Sequence, residues 1–202
     1  MKKTALAGSL VAIALLLTAR WATMAVNAPP QDSIQTGPNT SLANGLSVGD
    51  MVHKSDLIAI GSCVETKSVW VDRKLVTLAT VSVGETIKGA EQTEITVALP
   101  GGVDANREVP IAMSYAGAPR ITPGEDVLLF LKANGSVAGS YTIAGFSQGK
   151  FSIVRDEDGR QMVTRDLTKL MLRNNNGVHR GSNNLTSLVS LKAEIKAHLQ
   201  QQ

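Results

Sequence analysis

Cysteine, histidine and aromatic residues are all scarce in this sequence. One cysteine, Cys63, excludes a disulfide framework and a four-cysteine zinc site. The three histidines are widely separated, so a metal centre built from histidines is not expected. Aromatic residues make up 3% of the chain, whereas proteins that bind single-stranded nucleic acid need several exposed rings on which bases stack.

Strong net charge is also missing. The formal net charge is +3, and three of the 20 Lys and Arg residues, Lys2, Lys3 and Arg20, lie in the first 28 residues, which contain no acidic residue. The rest of the chain therefore carries as many cations as its 17 Asp and Glu residues. Proteins that bind nucleic acid through its phosphates carry a cationic surplus, so we expect no nucleic acid partner.

Residues 1–28 predict a signal peptide for Sec export. A positively charged start precedes an apolar run from Thr4 to Ala19, and small residues follow it. An uncleaved membrane anchor is the alternative, but Arg20 ends the run short of the roughly 20 apolar residues that a spanning helix needs. Cleavage after Ala25 or Ala28 would give a periplasmic or secreted protein, which contacts a membrane only if the leader stays attached.

Polar, structure-poor stretches divide the remaining chain. Residues 29–46 predict a flexible linker because they are rich in Pro, Asn, Ser, Thr and Gly and show no apolar period. Residues 47–172 form the predicted folded domain. Residues 173–184 predict a polar loop, and the apolar stripe in residues 185–202 predicts an amphipathic C-terminal helix.

The folded domain is predicted to be mainly β. Apolar and polar residues alternate in about six segments between residues 56 and 167, and turn signals such as Asn134-Gly135 separate some of them. We expect a small antiparallel barrel, closed or partly open and OB-like, with one buried central strand at Val127–Leu131. A short N-terminal helix, capped by Ser47, should precede the strands.

Candidate catalytic and metal-binding groups are few. A cysteine hydrolase needs a histidine beside its thiol, and Cys63 lies among strand residues with no histidine nearby in sequence. A buried structural cysteine is therefore the favoured interpretation. The carboxylates of Asp156, Glu157 and Asp158 lack the ligand spacing of a calcium loop and predict a solvated hairpin turn. We expect no catalytic, cofactor-binding or metal-ligating residue, no cofactor, and a protein that is not an enzyme.

A long segment, residues 101–124, is the first candidate for contact with a partner. It is stiffened by glycine and proline and presents Arg107, Tyr115 and Arg120. Rigid aromatic and guanidinium groups are frequent anchors of binding interfaces. The alternative is a crossover connection that packs over one end of the barrel.

A second candidate is the corner at residues 145–151, where glycines bracket a polar pair between two strands. A β-bulge explains these glycines without a function. If the corner is exposed, Gln148 and Lys150 are expected to face a partner.

Five segments resemble a known group of proteins. In chain order they are Ser55–Gly61, Val83–Gly89, Pro100–Gly102, Pro123–Leu131 and Gly145–Phe151. Together they resemble exported bacterial β-domains of unassigned activity, some of them associated with secreted matrixin-type metallopeptidases. The strand order is also similar to netrin-like OB-type barrels, including the tissue inhibitors of metalloproteinases.

That resemblance implies a barrel but not the inhibitory mechanism. Those inhibitors bind the protease metal through an N-terminal cysteine, and cleavage after Ala25 or Ala28 exposes none here. We therefore expect an exported, non-catalytic module that binds a protein or cell-envelope partner. A regulator or accessory protein of an exported metallopeptidase is the alternative, and a cysteine hydrolase is a third hypothesis.

Overall fold

The structure, a computed structural model, describes residues 39–133 and 137–201. The predicted signal peptide and the Asn134-Gly135 turn lie outside the described residues. The elements are, in chain order, β1 (Ser41–Asn44), α1 (Val48–Lys54), β2 (Leu57–Val71), β3 (Lys74–Lys88), β4 (Glu94–Pro100), β5 (Gly102–Asp104), β6 (Ile111–Met113), β7 (Asp126–Ala133), β8 (Ser140–Ile143), a 3₁₀ turn (Phe146–Gly149), β9 (Lys150–Arg155), β10 (Gln161–Arg165), β11 (Leu170–Asn174), β12 (Gly177–Arg180), β13 (Asn184–Ser187) and α2 (Leu188–Leu199).

Over residues 39–133 and 137–201 the protein is mainly β and contains two α-helices, one of them C-terminal, as predicted. The prediction of a single barrel of about six strands is wrong in the number of strands and of sheets. The described part of the chain has 13 strands in three sheets, of eight, three and two strands. Most of the unpredicted strands are only three to five residues long, which is too short to show a period of two in the sequence.

The short helix α1 begins directly after its predicted cap. The Asp50 N–H donates to Ser47 Oγ over 3.1 Å, and the Ser47 N–H donates to Asp50 Oδ2 over 2.9 Å. This reciprocal capping box satisfies two backbone donors that the first helical turn leaves free. Met51 and Val52 of this helix are fully buried. Over residues 39–133 and 137–201, neither α-helix combines the length and apolar character that crossing a bilayer requires.

Five strands of the largest sheet close into a ring. The strand order is β13-β10-β9-β7-β2-β3-β4-β8, and β8 pairs both with β4, in parallel, and with β7, antiparallel. Because β8 bridges these two strands, β7, β2, β3, β4 and β8 enclose one apolar core. Alternate residues such as Ala79, Val81 and Val97 fill it, which explains the period of two in β3 and β4.

Strand β7 is buried on both faces, as its continuous apolar sequence predicts. Val127, Leu129 and Leu131 belong to the core inside the ring. Leu128 and Phe130 belong to a second core, which includes residues of both helices. One strand therefore contributes buried side chains to both cores.

The outer edge of β7 is shared by two strands in succession. Its residues 131–133 pair with β8, and its residues 127–129 pair with β9. The chain leaves this edge between β8 and β9 through residues 144–149, which overlap the corner at residues 145–151. Gly145 and Phe146 both have positive φ, +69° and +64°. Glycine is favoured at position 145, because the backbone there is left-handed and a Cβ would lie 2.5 Å from Leu46 Cδ1, so that Leu46 would have to shift.

Three predicted boundaries are corrected at the two ends of the domain. The predicted linker 29–46 contains β1, which pairs in parallel with β11. The predicted loop 173–184 contains β12, which returns antiparallel to β11 across the Asn174–Gly177 turn. The predicted helix 185–202 begins only at Leu188, because the residues before it pair with β10 as β13. β1 and β13 gain hydrogen bonds from partners that are distant in sequence, which local composition does not reveal. β12 pairs with the adjacent β11 across a tight turn, which the polar composition of the segment conceals.

A buried glutamine, Gln148, joins the corner to the chain before α1. The Leu46 N–H donates to Gln148 Oε1 over 2.8 Å, and Gln148 Nε2 donates to the carbonyl oxygens of Asn44 (2.9 Å) and Gly145 (3.1 Å). Only 1% of Gln148 is exposed. We call this set of contacts the Gln148 clamp.

We expect Gln148→Ala to lower the free energy of unfolding by about 3 kcal/mol, because it removes three hydrogen bonds and leaves buried backbone groups unpaired. The control Gln161→Ala removes the same amide from an exposed position on β10 and should change stability by less than about 0.5 kcal/mol. Urea unfolding of both variants measures the difference. Equal effects would mean that the clamp contributes nothing specific.

Candidate functional site

A cleft of about 440 Å³ brings the two predicted partner-contact segments together. Tyr115 and Arg120 of the long segment line it, and Lys150, at the end of the corner, lines it as well. Residues that follow β9 complete the wall, including Asp166 and Lys169. Three of the five residues singled out in the sequence therefore meet in one recess, which we call the corner cleft.

The long segment is anchored at its first half and lines the corner cleft with its second. Residues 102–113 form the β5–β6 hairpin, and the Val103 N–H donates to Ser68 Oγ of β2 over 3.0 Å. Further along, Ser41 Oγ donates to the Ala116 carbonyl over 2.7 Å. The segment thus combines both sequence-based interpretations, a packed connection and an exposed surface.

Arg107 and Gln148, the other two residues predicted to contact a partner, do not line the corner cleft. The Arg107 guanidinium lies over the Trp70 ring and donates to Asp104 Oδ2 over 2.9 Å. The hydrogen bond from Trp70, and to a smaller extent the one from Arg107, lowers the pKa of Asp104. Gln148 is buried in its clamp, so its side chain cannot face a partner. The expectation for Gln148 depended on an exposed corner, whereas the hydrogen bonds of the clamp allow its polar side chain to be buried.

Two side chains of the corner cleft are free to receive a ligand. Tyr115 is 45% exposed, and Arg120 is also exposed. Within residues 39–133 and 137–201, neither the Tyr115 hydroxyl nor the Arg120 guanidinium makes a hydrogen bond or an ion pair. Lys169 adds a second exposed cation, and Asp166 is the carboxylate of the lining.

Ser147 places a buried hydroxyl without a partner at the corner cleft. The residue is 6% exposed and lines the recess. In the described chain, Ser147 Oγ is the one buried side-chain polar atom that has no hydrogen-bond partner. Buried polar groups are normally paired, and an unpaired one costs stability.

Lys150 is held by a carboxylate behind the lining of the cleft. Its Nζ donates to Glu125 Oε1 and to Ser152 Oγ, and Ser152 Oγ in turn donates to Glu125 Oε1 over 2.7 Å. Burial acts to raise the pKa of Glu125, but the hydrogen bonds from Lys150 and Ser152 outweigh it and lower that pKa. The pair fixes the position of Lys150 and offsets its charge.

This pair predicts a pH-dependent contribution to stability. Because the pKa of Glu125 is below its usual value of 4.5 in the folded state, the contribution is present above that pH and is lost as the pH falls through the lower folded value. From about pH 6 to about pH 3, wild-type protein should therefore lose up to about 1 kcal/mol more stability than Glu125→Gln. Urea unfolding at several pH values tests this.

The exposed Glu157, in the β9–β10 turn, provides the control for that series. Glu157→Gln removes a carboxyl group and should follow the wild-type pH dependence. A Glu125→Gln variant with the same pH dependence as wild type would contradict a stabilising Glu125–Lys150 pair.

The corner also contains a motif that bears on the expectation of no catalytic residue. Gly145-Phe146-Ser147-Gln148-Gly149 has the Gly-x-Ser-x-Gly spacing of a hydrolase nucleophile elbow. In an elbow the serine stands between a strand and a helix, whereas Ser147 lies in a single 3₁₀ turn between two strands. The described residues that line the corner cleft include no histidine. Lys150, the nearest amine in sequence, is paired with Glu125 and so does not offer a free base.

Cys63 lies inside the ring of strands and not in the corner cleft. It is 3% exposed and belongs to the core cluster. Burial raises the pKa of its thiol, and the negative charge of Glu125 raises it further. Since the thiolate is the reactive species, both effects oppose nucleophilic chemistry.

We expect iodoacetamide to leave Cys63 of the native protein unmodified at about pH 8, because the thiol is both enclosed and protonated. The same reagent should alkylate it fully after denaturation in urea. Mass spectrometry of the two samples distinguishes these states. Rapid alkylation of the native protein would show an accessible thiolate and revive the cysteine hydrolase hypothesis.

Comparison with known proteins gives no family assignment. No protein-family model matches the chain, and no curated protein matches it in sequence.

Proposed function

We propose that this protein is a non-catalytic binding module that holds a protein or cell-envelope partner in the corner cleft. One observation carries the proposal: Tyr115, Arg120 and Lys150 meet in a single recess beside the unpaired hydroxyl of Ser147. Aromatic and arginine side chains are the residues that most often dominate binding energy. The free polar atoms of Tyr115 and Arg120 are available to a partner without breaking contacts within the described domain.

Ser147 supports binding because the fold alone has no use for its hydroxyl. Its replacement by alanine removes an unpaired buried polar group and is expected to leave stability equal or slightly higher. A residue that is neutral or costly for folding and lies at a recess is a typical mark of a functional position.

An OB-type barrel is the proposed scaffold. The closed order β7-β2-β3-β4-β8 contains one parallel pair, β4 with β8, and a five-stranded Greek-key barrel is the architecture of OB folds. This supports the resemblance to exported OB-like domains seen in the sequence. A role outside the cytoplasm is part of the same proposal, and it rests on the charge and apolar pattern of residues 1–28.

The proposal predicts separate effects of variants within and outside the corner cleft. Immobilised wild-type protein is exposed to a cell-envelope extract, and the captured proteins are quantified by mass spectrometry. Tyr115→Ala, Arg120→Ala and Ser147→Ala should each recover at least about tenfold less of the same partner, because they remove an anchor or a buried hydrogen bond. Thermal unfolding should confirm that each variant is folded.

Arg107→Ala is the matched control, because it removes an exposed arginine of the same segment that does not line the corner cleft. It should retain full capture. Equal capture by all variants, or equal loss in Arg107→Ala, would contradict a binding role for the cleft. Covalent labelling of Ser147 by a fluorophosphonate would contradict the non-catalytic part of the proposal.

A further inference from the structure

A second recess, of about 710 Å³, lies among β11, β12 and the residues that precede α1. Arg165, Arg173 and Arg180 line it, together with His179. We call it the arginine groove. Its size falls within the roughly 300–1,000 Å³ of small-molecule sites.

The charge of the arginine groove is unbalanced. The described lining contains three arginines and one carboxylate, Asp50. Hydrogen bonds from Ser47 lower the pKa of Asp50, and its Oδ2 is already occupied by the Ser47 N–H and Oγ. The groove therefore has a surplus of about two positive charges, although the chain beyond the leader is formally neutral.

Arg165 is half-buried and poorly paired. Its Nη1 donates to the Gln148 carbonyl over 3.1 Å, and its guanidinium lies over the Phe151 ring. Burial lowers the pKa of Arg165, and the charge of Glu194 only partly opposes this. In the described chain Arg165 has no ion pair, so most of its five N–H donors remain free.

Arg173 and Arg180 stand close together on the β11–β12 hairpin. Arg173 pairs with Val178, so Arg180 is the diagonal neighbour on the same face, about 7–8 Å away. Both are exposed, and neither side chain has an ion pair within the described residues. Two like charges at this distance repel each other unless an anion lies between them.

From these contacts we infer that the arginine groove binds a phosphate-bearing ligand of small-molecule size. Guanidinium groups match phosphate oxygens in a bidentate geometry. A phosphate monoester carries about −1.5 to −2 charges, which balances the surplus of the groove better than a single carboxylate. The ligand is either a free phosphate compound or a lipid headgroup, and the inference does not depend on the function proposed for the corner cleft.

Calorimetric titration with inorganic pyrophosphate, at low and at moderate salt, tests this site. Wild-type protein should bind one equivalent, with affinity that falls as salt increases. The double variant Arg173→Gln/Arg180→Gln should bind at least about tenfold more weakly, because each arginine supplies a charge-assisted hydrogen bond. Both side chains are exposed, so the variant should remain folded, and thermal unfolding checks this.

Arg155→Gln/Arg160→Gln is the matched control, because it removes the same charge from exposed arginines outside the groove. It should bind within about twofold of wild type. Absent binding in wild type, or equal weakening in both double variants, would overturn the inference.

Vesicles of phosphatidylglycerol distinguish the two sources of phosphate. If the protein sediments with these vesicles and pyrophosphate prevents it, the ligand is a lipid headgroup. If the protein binds pyrophosphate but does not sediment with the vesicles, the ligand is a free phosphate compound. Either result supports the arginine groove. Sedimentation could instead be unchanged by pyrophosphate and by Arg173→Gln/Arg180→Gln. That result would overturn the inference, because it would reflect a diffuse attraction between the protein surface and the vesicles.

Discussion

The buried side-chain amide of Gln148 is the contact on which the rest of this structure depends. Two strands, β8 and β9, share one edge of β7, so the chain must leave that edge and return to it. The corner that makes this possible contains two consecutive residues with positive φ, one of them Phe146. Such a backbone persists only where its surroundings hold it. Gln148 does so by binding the backbone of residues 44–46.

The corner that contains Gln148 contributes to two recesses of different chemistry. Ser147 lines the corner cleft, while the Gln148 carbonyl accepts from Arg165, which lines the arginine groove. Successive residues at the end of β10 follow this division. Thr164 and Asp166 line the cleft and Arg165 lines the groove, as the alternation of a strand requires. Neighbouring residues of the corner therefore contribute to both sides, because Ser147 lines the cleft and the backbone carbonyl of Gln148 holds Arg165.

The long strands could be predicted from the sequence because their patterns are local. A period of two identified β3 and β4, and a continuous apolar run identified β7. The short strands β1 and β13 were missed because they pair with distant segments, whereas β12 pairs with the adjacent strand β11. For β12, the Asn176-Gly177 turn was a usable signal that the polar composition concealed.

The candidate site was predictable only in part. Tyr115, Arg120 and Lys150 were selected by residue type, but their meeting in one cleft depends on packing between segments about 30 residues apart. Ser147 was missed although its motif was present in the sequence. The burial of Gln148 could not be predicted, because the sequence does not show which polar residues have partners inside the fold.

Amide hydrogen exchange at Leu46 tests the central role of the Gln148 clamp most directly. Leu46 lies in no helix or strand, and the hydrogen bond that its N–H donates goes to Gln148 Oε1. The account predicts that this amide exchanges slowly in the wild-type protein and rapidly in Gln148→Ala, while the amides of β7 stay protected in both. Rapid exchange of the Leu46 amide in the wild-type protein would contradict it.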